Sequence, residues 1–262
     1  MGSTTTTDAD LVVDTDRGYF VYGVVTEAPG RVPEGLTGVG GAPVRSVGHG
    51  PVAAVVGEID LERTTGRRAD LVAYSQVLDE LAATGAVAPV QFGSVLVDEQ
   101  SIVEELLAPN EQHFVELLAG LNGRAQFNLR ASFHEHVVLG EVVAADPEIR
   151  RLHELTRDLP EEAAYADRVR LGELVARALE DKRVLEVEAL LDSILPLTAG
   201  YSLRSGAGIE HLLDVALLVD DERRSEFEDH LEGLAEAVHE RIGLRLVGPV
   251  APYDFVGGDT WG

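Results

Sequence analysis

The sequence contains no cysteine, and among its basic residues only Lys182 is a lysine. Without cysteine there can be no disulfide, no thiolate metal site and no cysteine nucleophile, which fits a cytoplasmic protein. No apolar run reaches the length of a membrane span. Residues 1–16 are rich in Thr and Asp and carry neither a basic nor an apolar region, so they do not read as a signal peptide. A disordered tail is expected there. Positive charge is scarce throughout, with 46 acidic residues against 21 basic ones and a net charge of −25. A surface of that sign repels phosphate backbones, so nucleic acid and anionic membranes are not expected partners. Acidic partners are disfavoured as well, whereas basic or apolar ones are not.

Catalytic motifs are missing too. There is no Gly-x-Ser-x-Gly elbow and no Ser-x-x-Lys, and Gly93-Ser94 lacks the second glycine that would complete an elbow. Gly38-Val-Gly-Gly41 faintly resembles a phosphate-cradling loop, but no Lys-Ser/Thr and no helix pattern follow it. The acidic pairs Glu161-Glu162 and Asp220-Asp221 read as helix starts. Arg168, Arg170, Arg177, Lys182 and Arg183 are interleaved with Glu173, Glu180 and Asp181, the pattern of a salt-bridged helix surface.

What is present is enough apolar content, 45% of residues, for two ordinary cores. Residues 18–27 are apolar on both faces and predict a central strand. Val44–Val47 and Val52–Ile59 predict a hairpin turning at His49-Gly50-Pro51. Leu71, Tyr74, Leu78 and Leu81 mark one face of a helix over 67–83, ended by Gly85. The nearly uncharged run Val87–Val97 reads as the central strand of the first domain, buried on both faces, with Gly93 marking a bulge or close approach. Asp98 then caps a helical stretch that Pro109 interrupts.

In the second half, Gln126, Asn128, Arg130, Ser132, His134 and His136 alternate with Phe127, Leu129, Ala131, Phe133, Glu135 and Val137. Period 2 of this length predicts a strand with one wet face over 125–143. Asp146-Pro147 opens a helix to about Asp158, and a longer helix follows over 165–195. Two strands are expected over 197–204 and 209–219. An amphipathic helix carries Phe227, Leu231, Leu234 and Val238 and ends at Gly243. A last strand spans 244–247.

The strand, helix, strand, strand, helix, strand order is the ferredoxin-like one. The fold class expected is therefore α+β in two domains. Residues 17–123 would form a small sheet with two helices, and residues 124–247 a ferredoxin-like (βαββαβ) domain with a helical insertion. Residues 248–262 form a Pro/aromatic tail.

Two places could carry chemistry. His134 and His136 would share a strand face and could supply half of a metal site, although no His-x-x-x-His or Glu-x-x-His spacing completes it. The exit segment Gly248-Pro-Val-Ala-Pro-Tyr-Asp-Phe-Val256 contains two prolines and so is not expected to continue a central strand or begin a helix. Tyr253, Phe255 and Trp261 are either the packing groups of a tail that tethers both domains or an adhesive surface for a partner.

Three blocks, Tyr19-Phe-Val-Tyr-Gly-Val-Val25, Ala88-Pro-Val-Gln-Phe-Gly-Ser-Val95 and the exit segment 248–256, resemble the hallmark segments of the gas vesicle accessory proteins of the F/L type (GvpF/GvpL). Leu244-Arg-Leu before the last block and the strand Gln126–Arg130 fit the same pattern. The chain departs from it at Gln91, where the family commonly has Arg. It departs again at Val250-Ala-Pro-Tyr253, where Trp-Pro-Pro-Tyr is usual. The resemblance implies two α+β domains, the second ferredoxin-like. It implies a non-enzymatic role, without cofactor or metal, in building gas vesicles within the cytoplasm. The expected partners are the apolar shell protein (GvpA) and other accessory proteins. The candidate partner-binding residues are Gln91, Phe92, Tyr253 and Phe255. The alternatives are a small-molecule-sensing ferredoxin-like regulatory module and a metal enzyme built on His134 and His136.

Overall fold

Strand β1 (Arg17–Thr26) is buried along nearly its whole length because both of its faces are apolar. It belongs to the first of two compact units, residues 17–122 and 123–257, in a computed structural model. The structure describes residues 17–257 apart from 64, 207 and 209. The expected disordered tail 1–16 and Trp261 lie outside the described residues.

In the first unit β1 pairs antiparallel with β3 (Val52–Asp60). On its other side it meets two short strands, β4 (Val87–Pro89) and β5 (Val95–Leu96). Strand β2 (Val44–His49) completes the order β2-β3-β1-β4 and joins β3 through a turn at Gly50, whose φ is +55°. The expectation of one central strand over Val87–Val97 is therefore corrected: the central strand is β1. The run breaks in two because Pro89 has no N–H to donate. Ser94 N–H closes a turn onto the Gln91 carbonyl at 3.1 Å, and Gly93 takes a φ of +93°.

A bulge in β1 falls between Val21 and Gly23, at Tyr22. The Tyr22 ring is fully buried, and its hydroxyl accepts a 2.7 Å hydrogen bond from Val39 N–H. Gly38 makes room for that hydroxyl, since a Cβ there would stand 1.9 Å from it. Helix α1 (Arg68–Thr84) buries Tyr74, Val77, Leu78 and Leu81, with Gly85 at its C-cap; Leu71, expected on that face, is half exposed. Asp98 caps the short helix α2 (Glu99–Ser101) by accepting from Ser101 N–H at 2.7 Å. A π-helical turn (Ile102–Leu107) and a 3-10 turn around Pro109 lead into α3 (Glu111–Leu121).

The second unit is built on β6 (Arg124–Phe133), β7 (Gly200–Leu203), β8 (His211–Asp220) and β9 (Ile242–Val250), all antiparallel, in the order β7-β8-β6-β9. Helices α4 (Glu135–Ala145), α5 (Pro147–Arg157) and the 34-residue α6 (Glu161–Ile194) stand between β6 and β7; α7 (Arg224–Val238) stands between β8 and β9. Phe127, Leu129, Ala131 and Phe133 of β6 and Leu213, Val215, Leu217 and Val219 of β8 form one apolar face. Ile149, Leu179, Ile194 and Phe227 pack on it from the helices. Phe127 and Phe227 meet at 5.2 Å between ring centroids, and burying a phenyl ring of this kind contributes about 1.5–3 kcal/mol.

Two further expectations are corrected here. The strand over 125–143 stops at Phe133, where the chain turns into α4 with His134 at the N-cap. Alternation alone cannot distinguish the last strand residues from a helix entry, and Val138 and Val142, four apart, are the pair α4 buries. The last strand, expected over 244–247, is longer, because β9 runs through the cis Gly248–Pro249 bond to Val250. It can do so because among the described residues β9 pairs only with β6 and is an edge strand, where a missing N–H faces away from the ladder.

The Tyr22 hydroxyl is the acceptor for a buried backbone donor. Tyr22→Phe should therefore lower the unfolding free energy by about 1–3 kcal/mol, the cost of leaving Val39 N–H unsatisfied. Chemical denaturation of the two proteins measures it, and equal midpoints would contradict this assignment.

Candidate functional site

The side of the second sheet opposite its apolar face carries the polar residues of β6. Alternation puts Gln126, Asn128 and Arg130 there. Gln126 is fully buried and its amide is satisfied at both ends. Asp254 N–H donates to its Oε1 at 3.0 Å, and its Nε2 donates to Asp254 Oδ2 at 2.6 Å and to Asn128 Oδ1 at 2.8 Å. Arg204, just beyond β7, closes the network. Its Nε donates to Asp254 Oδ1 at 2.9 Å, a second fork nitrogen reaches Oδ2, and Nη2 also donates to Asn128 Oδ1 at 2.8 Å.

These bonds fix the exit segment. Residues 253–255 form a 3-10 turn in which Asp254 faces the sheet network, and Phe255 lies 3.7 Å from where a Cβ on Gly200 of β7 would stand. Tyr253 is 36% exposed, and Phe255 is partly buried. Burial pushes the Asp254 carboxyl upward, but the Arg204 guanidinium and the Gln126 amide outweigh it and hold the group below the usual carboxylate range. The Arg204 guanidinium is raised, chiefly by its hydrogen bond to Asp254.

Gln91 and Phe92 occupy the turn between β4 and β5, in the first unit. Gln91 is exposed. Phe92 is partly buried in an aromatic group, 5.6 Å from Phe20 and 5.2 Å from Tyr74 between ring centroids. The four candidate residues are thus two pairs, Gln91 with Phe92 and Tyr253 with Phe255, each on a turn of its own unit.

His134 and His136 do not share a strand face. His134 Nε2 lies 3.0 Å from the His239 carbonyl oxygen, and His136 is within α4. Among the described residues no group of three or more His, Asp or Glu side chains could hold a metal ion. No helix of the described residues is long and apolar enough to cross a membrane. Sequence reasoning placed Gln126, Asn128 and Arg130 on one wet row but missed their partners Arg204, Asp214 and Asp254. The one available signal was a carboxylate between two aromatics, Tyr253-Asp-Phe255, in a segment otherwise without charge.

Replacing Asp254 with Ala leaves Arg204 and Gln126 short of their partner and should cost about 2–3 kcal/mol of stability. The carboxyl is depressed in the folded state, so its contribution is fully present above the ordinary Asp range near pH 3.9 and is lost as pH falls below it. Acid titration of wild type and variant should show the stability gap closing only below about pH 4. A gap unchanged at pH 2 would contradict the ionic origin.

Comparison with known proteins agrees with this architecture. The family described as "Gas vesicle synthesis protein GvpL/GvpF" matches residues 18–257. Gas vesicle protein F of Streptomyces sp. (strain CB03234) is 33% identical over 243 residues, covering 90% of this chain and 98% of that one. Gas vesicle protein L of the same strain is 27% identical, covering 94% and 95%. The crystal structure of GvpF from Anabaena sp. PCC7120 superposes with a TM-score of 0.81 at 20% identity, over 93% of this chain and 99% of that one. GvpF from Microcystis aeruginosa gives a TM-score of 0.75 at 20% identity, over 92% and 99%. A match along nearly the whole chain, in sequence and in fold, places this protein in the GvpL/GvpF family of gas vesicle proteins.

Proposed function

We propose that the chain is a non-enzymatic assembly factor that binds the apolar gas vesicle shell protein (GvpA), or other accessory proteins, in the cytoplasm while vesicles form. The observation that carries this reading is the edge of the second sheet. Among the described residues strand β7 pairs only with β8, leaving its other side open, and Tyr201 and Leu203 on it are 51% and 56% exposed. The exit turn 253–255 lies beside the same strand. A free strand edge flanked by aromatic and aliphatic groups suits the capture of an extended apolar segment by strand addition. A shell subunit exposes apolar surface before it polymerises, and a strongly acidic carrier would keep the covered subunit in solution until more extensive shell–shell contacts replace it.

The βαββαβ order of the second unit and its β7-β8-β6-β9 sheet support reading it as a ferredoxin-like domain with α4 and α5 inserted before α6. We read the domain limits as 17–123 and 124–247, followed by the exit segment. Gln91, Phe92, Tyr253 and Phe255 remain proposed contact positions.

The test is capture of purified shell protein by the full chain, alongside vesicle morphology in a deletion strain. Tyr201→Glu with Leu203→Glu should weaken capture about tenfold, and the deletion should abolish or deform vesicles. Cutting the chain at Gly248 is unsuitable because it removes part of β9. Normal vesicles in the deletion strain, or full capture by the double variant, would overturn the proposal.

A further inference from the structure

On the polar side of the second sheet, four side chains form a row across all four strands. Arg245 of β9 is opposite Arg130 of β6, Arg130 is opposite Asp214 of β8, and Arg204 N–H donates to the Asp214 carbonyl from beyond β7. The row therefore holds three guanidiniums and one carboxylate. Asp214 is engaged on both sides. Arg130 donates to its Oδ2 through Nε at 3.1 Å and Nη2 at 2.7 Å, and Arg204 Nη1 lies 3.5 Å from its Oδ1. Arg204 is further held by Asp254. Arg245 is left over: among the described residues its side chain has no hydrogen-bond or ion-pair partner. Like charges directly opposite each other on neighbouring strands are destabilising; Asp214 offsets the charge of Arg130, whereas among the described residues no carboxylate pairs with Arg245.

The chain of hydrogen bonds beneath the row adds a donor. Asp254 N–H can only donate, which makes the Gln126 atom facing it the carbonyl oxygen and turns the Gln126 NH2 onto Asn128. Arg204 can also only donate, so Asn128 presents its oxygen to both and has its own NH2 left to give. Asn128, Arg130 and Arg245 line one cavity of about 270 Å³ together with Val247, which is 44% exposed.

From this juxtaposition we propose that the cavity between Arg130 and Arg245 binds a carboxylate side chain of an acidic segment from a partner protein. The site offers the Arg245 guanidinium fork, the one Arg130 nitrogen not given to Asp214 and an amide NH2 as donors, while the Asp214 carboxylate that also lines it is already engaged by Arg130 and Arg204; a carboxylate accepts from several donors at once. A protein segment fits better than a free metabolite. The cavity is below the usual range for small-molecule pockets, and two side chains of its lining, Arg130 and Val247, are exposed. This site is separate from the strand edge proposed above for apolar capture, and it stands whether or not the shell protein binds.

The experiment uses the full chain and a fluorescent hexapeptide of alternating glutamate and valine, with fluorescence anisotropy as the readout at about 0.15 M salt. The glutamate peptide should bind at least about tenfold more tightly than its glutamine counterpart, and Arg245→Gln should remove about that factor. The melting temperature of Arg245→Gln should equal or exceed that of the wild type, because the substitution relieves a like-charge pair.

Five results would overturn the proposal, the first four read from the peptides and the variant. Those four are equal binding of the two peptides, wild-type affinity in Arg245→Gln, a lowered melting temperature in that variant, and displacement of the peptide by inorganic phosphate at equal concentration. Binding seen only after removal of residues 1–16 would also overturn it, by assigning the site to the chain's own Asp-bearing stretch. Shell protein appears in none of these measurements, so their failure and that of the capture experiment are told apart.

Discussion

A buried amide must be hydrogen-bonded or the fold loses about 1–3 kcal/mol for each unmet group, and Gln126 imposes that constraint on the second unit. It sits in the central strand of the sheet with no solvent to satisfy it. Its partner is Asp254, 128 residues away in sequence, which meets it through both backbone N–H and carboxylate. The carboxylate in turn needs a cation, which Arg204 supplies, and Arg204 also reaches Asn128 and Asp214. The exit segment therefore turns against β7 because a polar residue inside the sheet requires it there. Tyr253 and Phe255 are presented as a consequence.

The two sheets handle their central strands differently. In the first, β1 is apolar on both faces and is irregular only at Tyr22, whose hydroxyl finds Val39 N–H. In the second, β6 divides into an apolar face toward the helices and a polar face of amides and arginines. The first arrangement is secured by packing, which tolerates some rearrangement of volume. The second is secured by a connected polar network, in which removing one member leaves the others unpaired. Substitutions on the polar face of β6 should for that reason couple strongly, while those in the first core should be closer to additive.

Much of this was legible in the sequence where a pattern is local. The His49-Gly50-Pro51 hairpin, the Asp98 and Asp146 caps, the α1 stop at Gly85 and the alternation from Gln126 to Phe133 all express constraints between near neighbours. The misreadings arose where a local pattern has two physical solutions. Pro89 and Gly93, only four residues apart, split an apolar run that hydropathy alone treats as one strand. Alternation carried past Phe133 into a helix entry that shares its first residues' polarity. The partners of Gln126 and Arg130 could not be read at all, since a pairing across 84 or 128 residues leaves no periodic trace. The resemblance drew attention to Tyr253 and Phe255 within residues 248–256, and the residue that anchors that segment, Asp254, lies between them.

The overall and local charges of this chain have opposite consequences. A net charge of −25 repels an acidic group at a distance. That field is screened over a Debye length of about 8 Å at physiological ionic strength. At closer range the group meets what lines the cavity: Asn128, Arg130, Arg204, Arg245 and an Asp214 whose oxygens are already engaged. Salt therefore acts in two directions, easing approach by screening the global field and weakening the contact itself once formed. Because geometry and desolvation between Arg130 and Arg245 govern escape more than encounter, selectivity at such a site resides in the dissociation rate. That is how a chain so acidic can still hold a carboxylate at one place on its surface.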